Sequence, residues 1–202
     1  LHEAIENSCN PYFWETFKEM FASSRFASSK EAYSFWYDLV VSFGLGHTYN
    51  TDIPSEVSGN IPKSSFYDRM YRGVWNALTI RSLSIGQGEI LVTPLQLANM
   101  AAAIGNEGFY YPPHFIKEFS DGTPIDSSMT TKRIINIKSK HFKDVKTGMC
   151  RVFEGDSGTA RFSKIDSIQV AGKTGTAENP HGDDHSLFMG FAPADNPKIA
   201  IA

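Results

Sequence analysis

Residues 168–177, I-Q-V-A-G-K-T-G-T-A, and residues 185–192, H-S-L-F-M-G-F-A, decide the fold, because here the apolar period of the chain changes from helical to alternating. Ile168, Val170 and Gly172 alternate with Gln169, Ala171 and Lys173, and Leu187, Met189 and Phe191 alternate farther on. Asp195, Asn196 and Pro197 then separate the second run from Lys198–Ala202, as turn formers do in a hairpin connection. Upstream the signals are helical. Asn10 followed by Pro11 reads as an N-cap and a first-turn proline, predicting a helix over 11–21. Ser28 and Glu31 make a capping box ahead of Ala32, Phe35, Trp36, Leu39 and Phe43, with Gly44 as a left-handed stop. Thr93, Pro94 and Gln96 repeat that start signal before an alanine-rich run to Ile104, apolar nearly all round and so expected at the centre of a helical layer. Ser139 to Gly155 carries one more amphipathic pattern, whereas residues 45–63, with Gly46, Pro54, Gly59 and Pro62, read as a long connecting loop. Helices first and adjacent antiparallel strands afterwards predict an α+β architecture, a helical layer packed on an antiparallel β-sheet.

The composition suits one packed domain: 202 residues, 41% hydrophobic, 20% charged. A net charge of -3 provides no broad basic field, which argues against nucleic acid or an anionic lipid surface as partner. No apolar stretch approaches the roughly 20 residues that span a bilayer. The chain opens on Leu1 rather than Met, so targeting is left undecided. Cys9 and Cys150 are too few for a disulfide framework.

Several motifs compete for the chemistry. Gly172-Lys173-Thr174 looks like the tail of a phosphate-binding loop, but that motif needs a glycine where Ser167 stands, and here no helix follows. Gly86-Gln87-Gly88 is a lone G-x-G without the third glycine of a dinucleotide site. His181, Asp183, Asp184 and His185 could ligate zinc, although a polar turn between strands accounts for them equally; neither a metal nor another cofactor is expected. Lys173-Thr174-Gly175 is a fixed triplet expected by chance in about 2–3% of such chains, so it carries weight. Alternation puts Lys173 and Gly175 on one face, and Thr174 and Thr176 add hydroxyls and backbone N–H donors beside the ammonium, a setting suited to a carboxylate and an oxyanion. An S-x-N triplet occurs twice. Ser58-Gly59-Asn60 reads as a turn, whereas Ser8-Cys9-Asn10 sits directly before a helix start, which makes Ser8 and Asn10 the candidates.

Ser8-Cys9-Asn10 followed far downstream by Lys173-Thr174-Gly175-Thr176 resembles, in order, the second and third motifs of the penicillin-recognising acyl-transfer enzymes. Connecting text sharpens the likeness to class B penicillin-binding proteins: S-I-G-Q-G-E-I at 84–90, T-P-L-Q-L-A-N-M at 93–100, A-G-K-T-G-T-A at 171–177 and F-M-G-F-A-P-A-D-N-P-K at 188–198. H-S-L-F-M-G-F-A-P favours the elongation-type branch, penicillin-binding protein 2, over the division-specific one. One departure stands out: the family's nucleophile lies in an S-x-x-K motif, and no serine stands three residues before any lysine in these 202 residues.

The resemblance therefore implies a partial transpeptidase domain over 1–202, truncated at both ends, without its first strands, its S-x-x-K helix and its last helix. It implies a serine D,D-transpeptidase that cross-links peptidoglycan stem peptides, binds β-lactams, and works at the periplasmic face of the inner membrane beside membrane proteins of the elongation machinery, anchored by an upstream segment. In that enzyme Ser8 relays a proton, Asn10 binds the substrate amide, Lys173 supplies positive potential, and Thr174, Gly175 and Thr176 form the carboxylate and oxyanion edge. A β-lactam sensor, a D,D-carboxypeptidase or a non-catalytic scaffold shares enough of the motifs to stay open. Without a first strand, residues 198–202 would expose an edge able to pair with a second copy.

Overall fold

The computed structural model describes residues 1–179 and 181–202; Pro180, part of the connection between the two alternating runs, lies outside them. The chain runs α1 (His2–Glu6), α2 (Asn10–Ala22), α3 (Ser29–Ser42), α4 (Ser64–Met70), α5 (Pro94–Gly105), β1 (Phe109–Tyr110), α6 (Ser127–Thr130), β2 (Arg133–Ile134), α7 (Ser139–Glu154), β3 (Ala171–Ala177), β4 (His185–Ala192) and β5 (Ile199–Ile201). The architecture is α+β, helices packed on an antiparallel sheet of order β3-β4-β5, with β1 and β2 as a separate short pair.

Register explains which residues the sheet buries. Ala171 lies opposite Phe191, Lys173 opposite Met189, and Phe191 opposite Ala200, so one face presents Ala171, Phe191 and Ala200 to the helices. Ala171 and Phe191 there join Ile5, Ala101, Ile104, Met149 and Val152 in the main core. The other face carries Phe188, Gly190, Ile199 and Ile201 along an open apolar groove of about 430 Å³. β3 begins at Ala171 rather than Ile168 because the Ile168 N–H turns back to Ile165 O (3.3 Å) and leaves no donor for a ladder.

The capping box ahead of α5 is complete: Thr93 Oγ1 accepts from Gln96 N (3.2 Å) and Gln96 Oε1 from Thr93 N (3.1 Å). The same Gln96, 1% exposed, donates through Nε2 to His47 O (3.0 Å) and Ser58 O (2.9 Å), and Asn99 donates to Phe43 O (2.9 Å). The Gln96 amide thus holds the 45–63 connection, while Asn99 ties the end of α3; that connection forms no helix and contributes a single bridge, Asn60 with Leu91. Thr93→Ala should lower stability by about 1 kcal/mol in urea unfolding; an unchanged midpoint would show that the cap is dispensable.

Two local readings need correction. Asn10 is the first helical residue of α2, not its cap; Cys9 takes the cap position and no side chain bonds the open N–H groups, because the chain spends residues 8 and 9 on the reversal out of α1. At α3 only half of the capping box forms: Ser28 accepts from Glu31 N (3.2 Å), while the Glu31 carboxylate reaches past Ser28 to Ala27 N (2.7 Å). Between the 45–63 connection and α5 the chain forms α4 and a 3-10 turn at Arg81–Ile85. Both are held by a cluster in which the aromatic Phe17, Tyr33, Tyr67 and Trp75 pack with Leu83. Its polar ends are tied by Tyr33 Oη to Pro62 O (2.6 Å), Tyr67 Oη to Glu89 (3.0 Å) and Trp75 Nε1 to Asp68 (2.9 Å).

Candidate active site

Ser8 owes its place to the way α1 ends. The Cys9 N–H bonds Ala4 O (2.9 Å) and the Ser8 N–H bonds Ile5 O (3.3 Å), a Schellman closure in which Ser8 occupies the left-handed position at φ 52°. Glycine is the usual occupant. A serine there accepts backbone strain of the kind found where a side chain is needed at one spot. α1 in turn lies on α7, where Gly148 makes room: a Cβ at that position would stand 2.7 Å from Ile5 Cδ1.

α7 packs against β3, and β3 carries Lys173 toward the end of α1. The Lys173 ammonium donates to the Ser8 hydroxyl and to Thr174 O (2.8 Å), joining two motifs separated by 165 residues. Burial lowers the Lys173 pKa below its ordinary 10.5, so the folded state holds this proton less tightly than the unfolded state does. The resulting penalty is fully present below the folded pKa. It is relieved as pH climbs from there toward the unfolded value, because in that window only the unfolded chain stays protonated. Lys173→Met should therefore stabilise the chain at neutral pH, with an advantage that shrinks on approaching pH 10.5; a pH-independent difference in unfolding free energy would contradict it.

β3 is an edge strand, bonded to β4 on one side alone among the described residues. Thr176 O accepts from Gln87 Nε2 (3.0 Å), which places the carbonyl of Thr176, and with it the N–H of the same residue, on the free edge. Gly175 leaves space beside it: a Cβ there would meet nothing nearer than Leu187 Cβ at 3.7 Å. By contrast Gly172 is required by packing, since its Cβ would stand 2.6 Å from the Phe188 ring.

Of the residues singled out from sequence, Ser8, Lys173 and Thr174 come together, and Gly175 and Thr176 continue the same edge. Asn10 lies at the exposed start of α2, with no side-chain hydrogen bond recorded among the described residues. His181, Asp183, Asp184 and His185 are exposed; Asp184 accepts from Asn179 N (3.2 Å), and among the described residues no three His, Cys, Asp or Glu side chains converge on a metal position. Cys9 and Cys150 are both free thiols. Sequence reasoning passed over Gln87, whose signal was the G-Q-G segment. It also passed over Glu6, two residues before Ser8 and 3% exposed, whose carboxylate accepts from Arg151 Nε (2.6 Å) and Ser157 N (3.3 Å).

A serine hydroxyl and a half-buried ammonium thus meet at the open edge of a K-T-G-T strand, and comparison with known proteins gives the family in which this arrangement stands. The penicillin-binding protein transpeptidase domain model matches residues 1–202, and the chain belongs to that family. The peptidoglycan D,D-transpeptidase MrdA of Acinetobacter baumannii is 32% identical over 217 residues, covering 100% of this chain and 31% of that protein. A crystal structure of Pseudomonas aeruginosa PBP2 in complex with WCK 5153 superposes with TM-score 0.81 at 31% identity, covering 99% of this chain and 42% of that one. Helicobacter pylori PBP2 in complex with MreC gives TM-score 0.76 at 26% identity, covering 100% of this chain and 35% of that one. The chain thus spans about a third of the curated relatives' length, 31% and 32% for two MrdA proteins.

Proposed function

We propose that this chain is the part of an elongation-type peptidoglycan D,D-transpeptidase that carries the proton relay and the substrate edge, while the serine nucleophile belongs to another part of the same protein. The observation that carries the reading is the contact between the Lys173 ammonium and the Ser8 hydroxyl at the free edge of β3. In this scheme the nucleophilic serine oxygen bonds to the carbonyl carbon of the penultimate D-Ala, and the bond to the terminal D-Ala nitrogen breaks. The proton that leaves the attacking serine passes to Ser8 as Ser8 gives its own to that leaving nitrogen, so Ser8 ends neutral, and Lys173 lowers the energy of the transfer by its positive field. The Thr176 N–H faces the developing oxyanion, Thr174 and Thr176 hold the terminal carboxylate, and Asn10 binds the substrate amide. An amine of a neighbouring stem peptide then attacks the acyl-enzyme, and its proton returns to the serine. β-Lactams enter by the same acylation.

The periplasmic face of the inner membrane is the corresponding location, and a membrane partner of the MreC kind follows from the complex formed by the Helicobacter relative. No helix among the described residues is long and apolar enough to cross a membrane, so this reading assigns anchoring to another segment. Ile199 and Ile201, 62% and 51% exposed on a strand paired on one side among the described residues, support an edge that takes a further strand from the same protein or from a second copy. The test is labelling with a fluorescent penicillin. Full-length protein should label stoichiometrically and the 202-residue chain not at all, whereas an unlabelled full-length protein would reject the reading.

A further inference from the structure

The loop that follows α7, Gly155-Asp156-Ser157-Gly158-Thr159-Ala160, is packed too closely to be a passive connection. A Cβ on Gly155 would stand 2.1 Å from the Glu6 carboxylate, and one on Gly158 would stand 2.4 Å from Val152 O. Glu6, buried at the end of α1, bonds this loop twice, through its carboxylate to Ser157 N (3.3 Å) and through its carbonyl to Thr159 N (3.4 Å). Ala160 N closes the loop back onto Val152 O (2.9 Å). The loop thereby presents Thr159, whose hydroxyl lies 2.7 Å from the hydroxyl of Thr174.

Alternation creates the need for that contact. Lys173 points to the face that holds Ser8, whereas Thr174 points to the opposite face, where it borders the groove with Phe188. One carboxylate lying along the edge of β3 can meet both side chains only if the Thr174 hydroxyl is kept in one rotamer and turns its proton outward. A hydroxyl has one proton to give and two lone pairs to receive. If Thr159 donates to Thr174, the Thr174 proton is free for an anion, and each bond in such a relay strengthens the next.

We propose that Thr159 is a positioning residue for anion recognition: it fixes and polarises the Thr174 hydroxyl so that this strand favours acyl donors bearing a carboxylate. The assignment rests on the acyl-transfer reading above. Thr159 touches no reacting atom, and its effect reaches the substrate through Thr174.

The experiment compares acylation of the full-length protein by benzylpenicillin and by benzylpenicillin methyl ester, which lacks the anion. Thr159→Val should slow acylation by the free acid by about 3- to 10-fold, the value of one hydrogen bond, and leave the ester rate within about twofold. Thr159→Ser, which restores the hydroxyl, should restore the free-acid rate. Thr159→Ala provides the same comparison should valine not be tolerated in the fold. Equal slowing of acid and ester would mark a structural role and overturn the proposal, as would an unchanged free-acid rate. A wild-type protein that neither compound acylates overturns the acyl-transfer reading and this assignment with it, so the two failures are told apart by the wild type alone.

Discussion

In the full-length protein, Lys173→Ala should slow penicillin acylation by about 100-fold or more, while Lys198→Ala should leave it within about twofold. Both lysines belong to the same sheet region, which makes Lys198 a fair control for net charge. Only Lys173 is half-buried against Ser8, in surroundings that already lower its pKa, so in the proposed scheme its field would reach the reacting atoms with little screening by water. Lys198 is exposed, and its recorded bond is a backbone one, to Ala192 O (2.9 Å). Stopped-flow measurement of the second-order acylation constant for both variants decides the matter. Indistinguishable constants would remove Lys173 from the chemistry.

Arg151→Ala should cost the chain about 2–4 kcal/mol, read as a fall in the urea midpoint, because it strands the Glu6 carboxylate away from water. Glu6 is 3% exposed and the arginine side chain 41% exposed, so the loss falls below that for a pair buried on both sides. Glu6→Gln should cost less, about 1 kcal/mol, since the amide oxygen still accepts from Ser157 N and the charge left without its partner, the Arg151 guanidinium, is 41% exposed and stays hydrated. Adding Glu6→Gln to Arg151→Ala should recover most of the arginine loss, a non-additivity that isolates the buried charge. If Arg151→Ala is no worse than Glu6→Gln, the carboxylate is not stranded and the pair is incidental.

What could be read from sequence was whatever local chemistry declares. Thr93-Pro94-Gln96 states the start of α5 in its own side chains, and the alternation of 185–192 states β4. Both stand as read because the signal and the structure involve the same few residues. α4 and the turn at Arg81–Ile85 left no such mark: each is short, and each is held by the aromatic cluster rather than by its own period. In the site, Ser8 and Lys173 were legible as motifs, and the resemblance set their order. Glu6 was not, since a glutamate beside a helix end reads as a surface residue until its partner, 145 residues away, is known. Asn10 misled at the level of the cap because asparagine before proline is an ordinary helix start, and nothing in the triplet announces that Ser8 takes a left-handed backbone.

The free edge of β3 bears on heredity. Recognition by a side chain can be lost through one codon, but the N–H that Thr176 turns to the outside belongs to the main chain and survives every substitution there except proline. Variation can remove the hydroxyls of Thr174 and Thr176, but this N–H is displaced only by a shift of the strand itself. A place where such a shift could begin is Gly172, beneath the Phe188 ring: a methyl group there would meet the ring at 2.6 Å, so the ring or the strand must move one residue before Lys173.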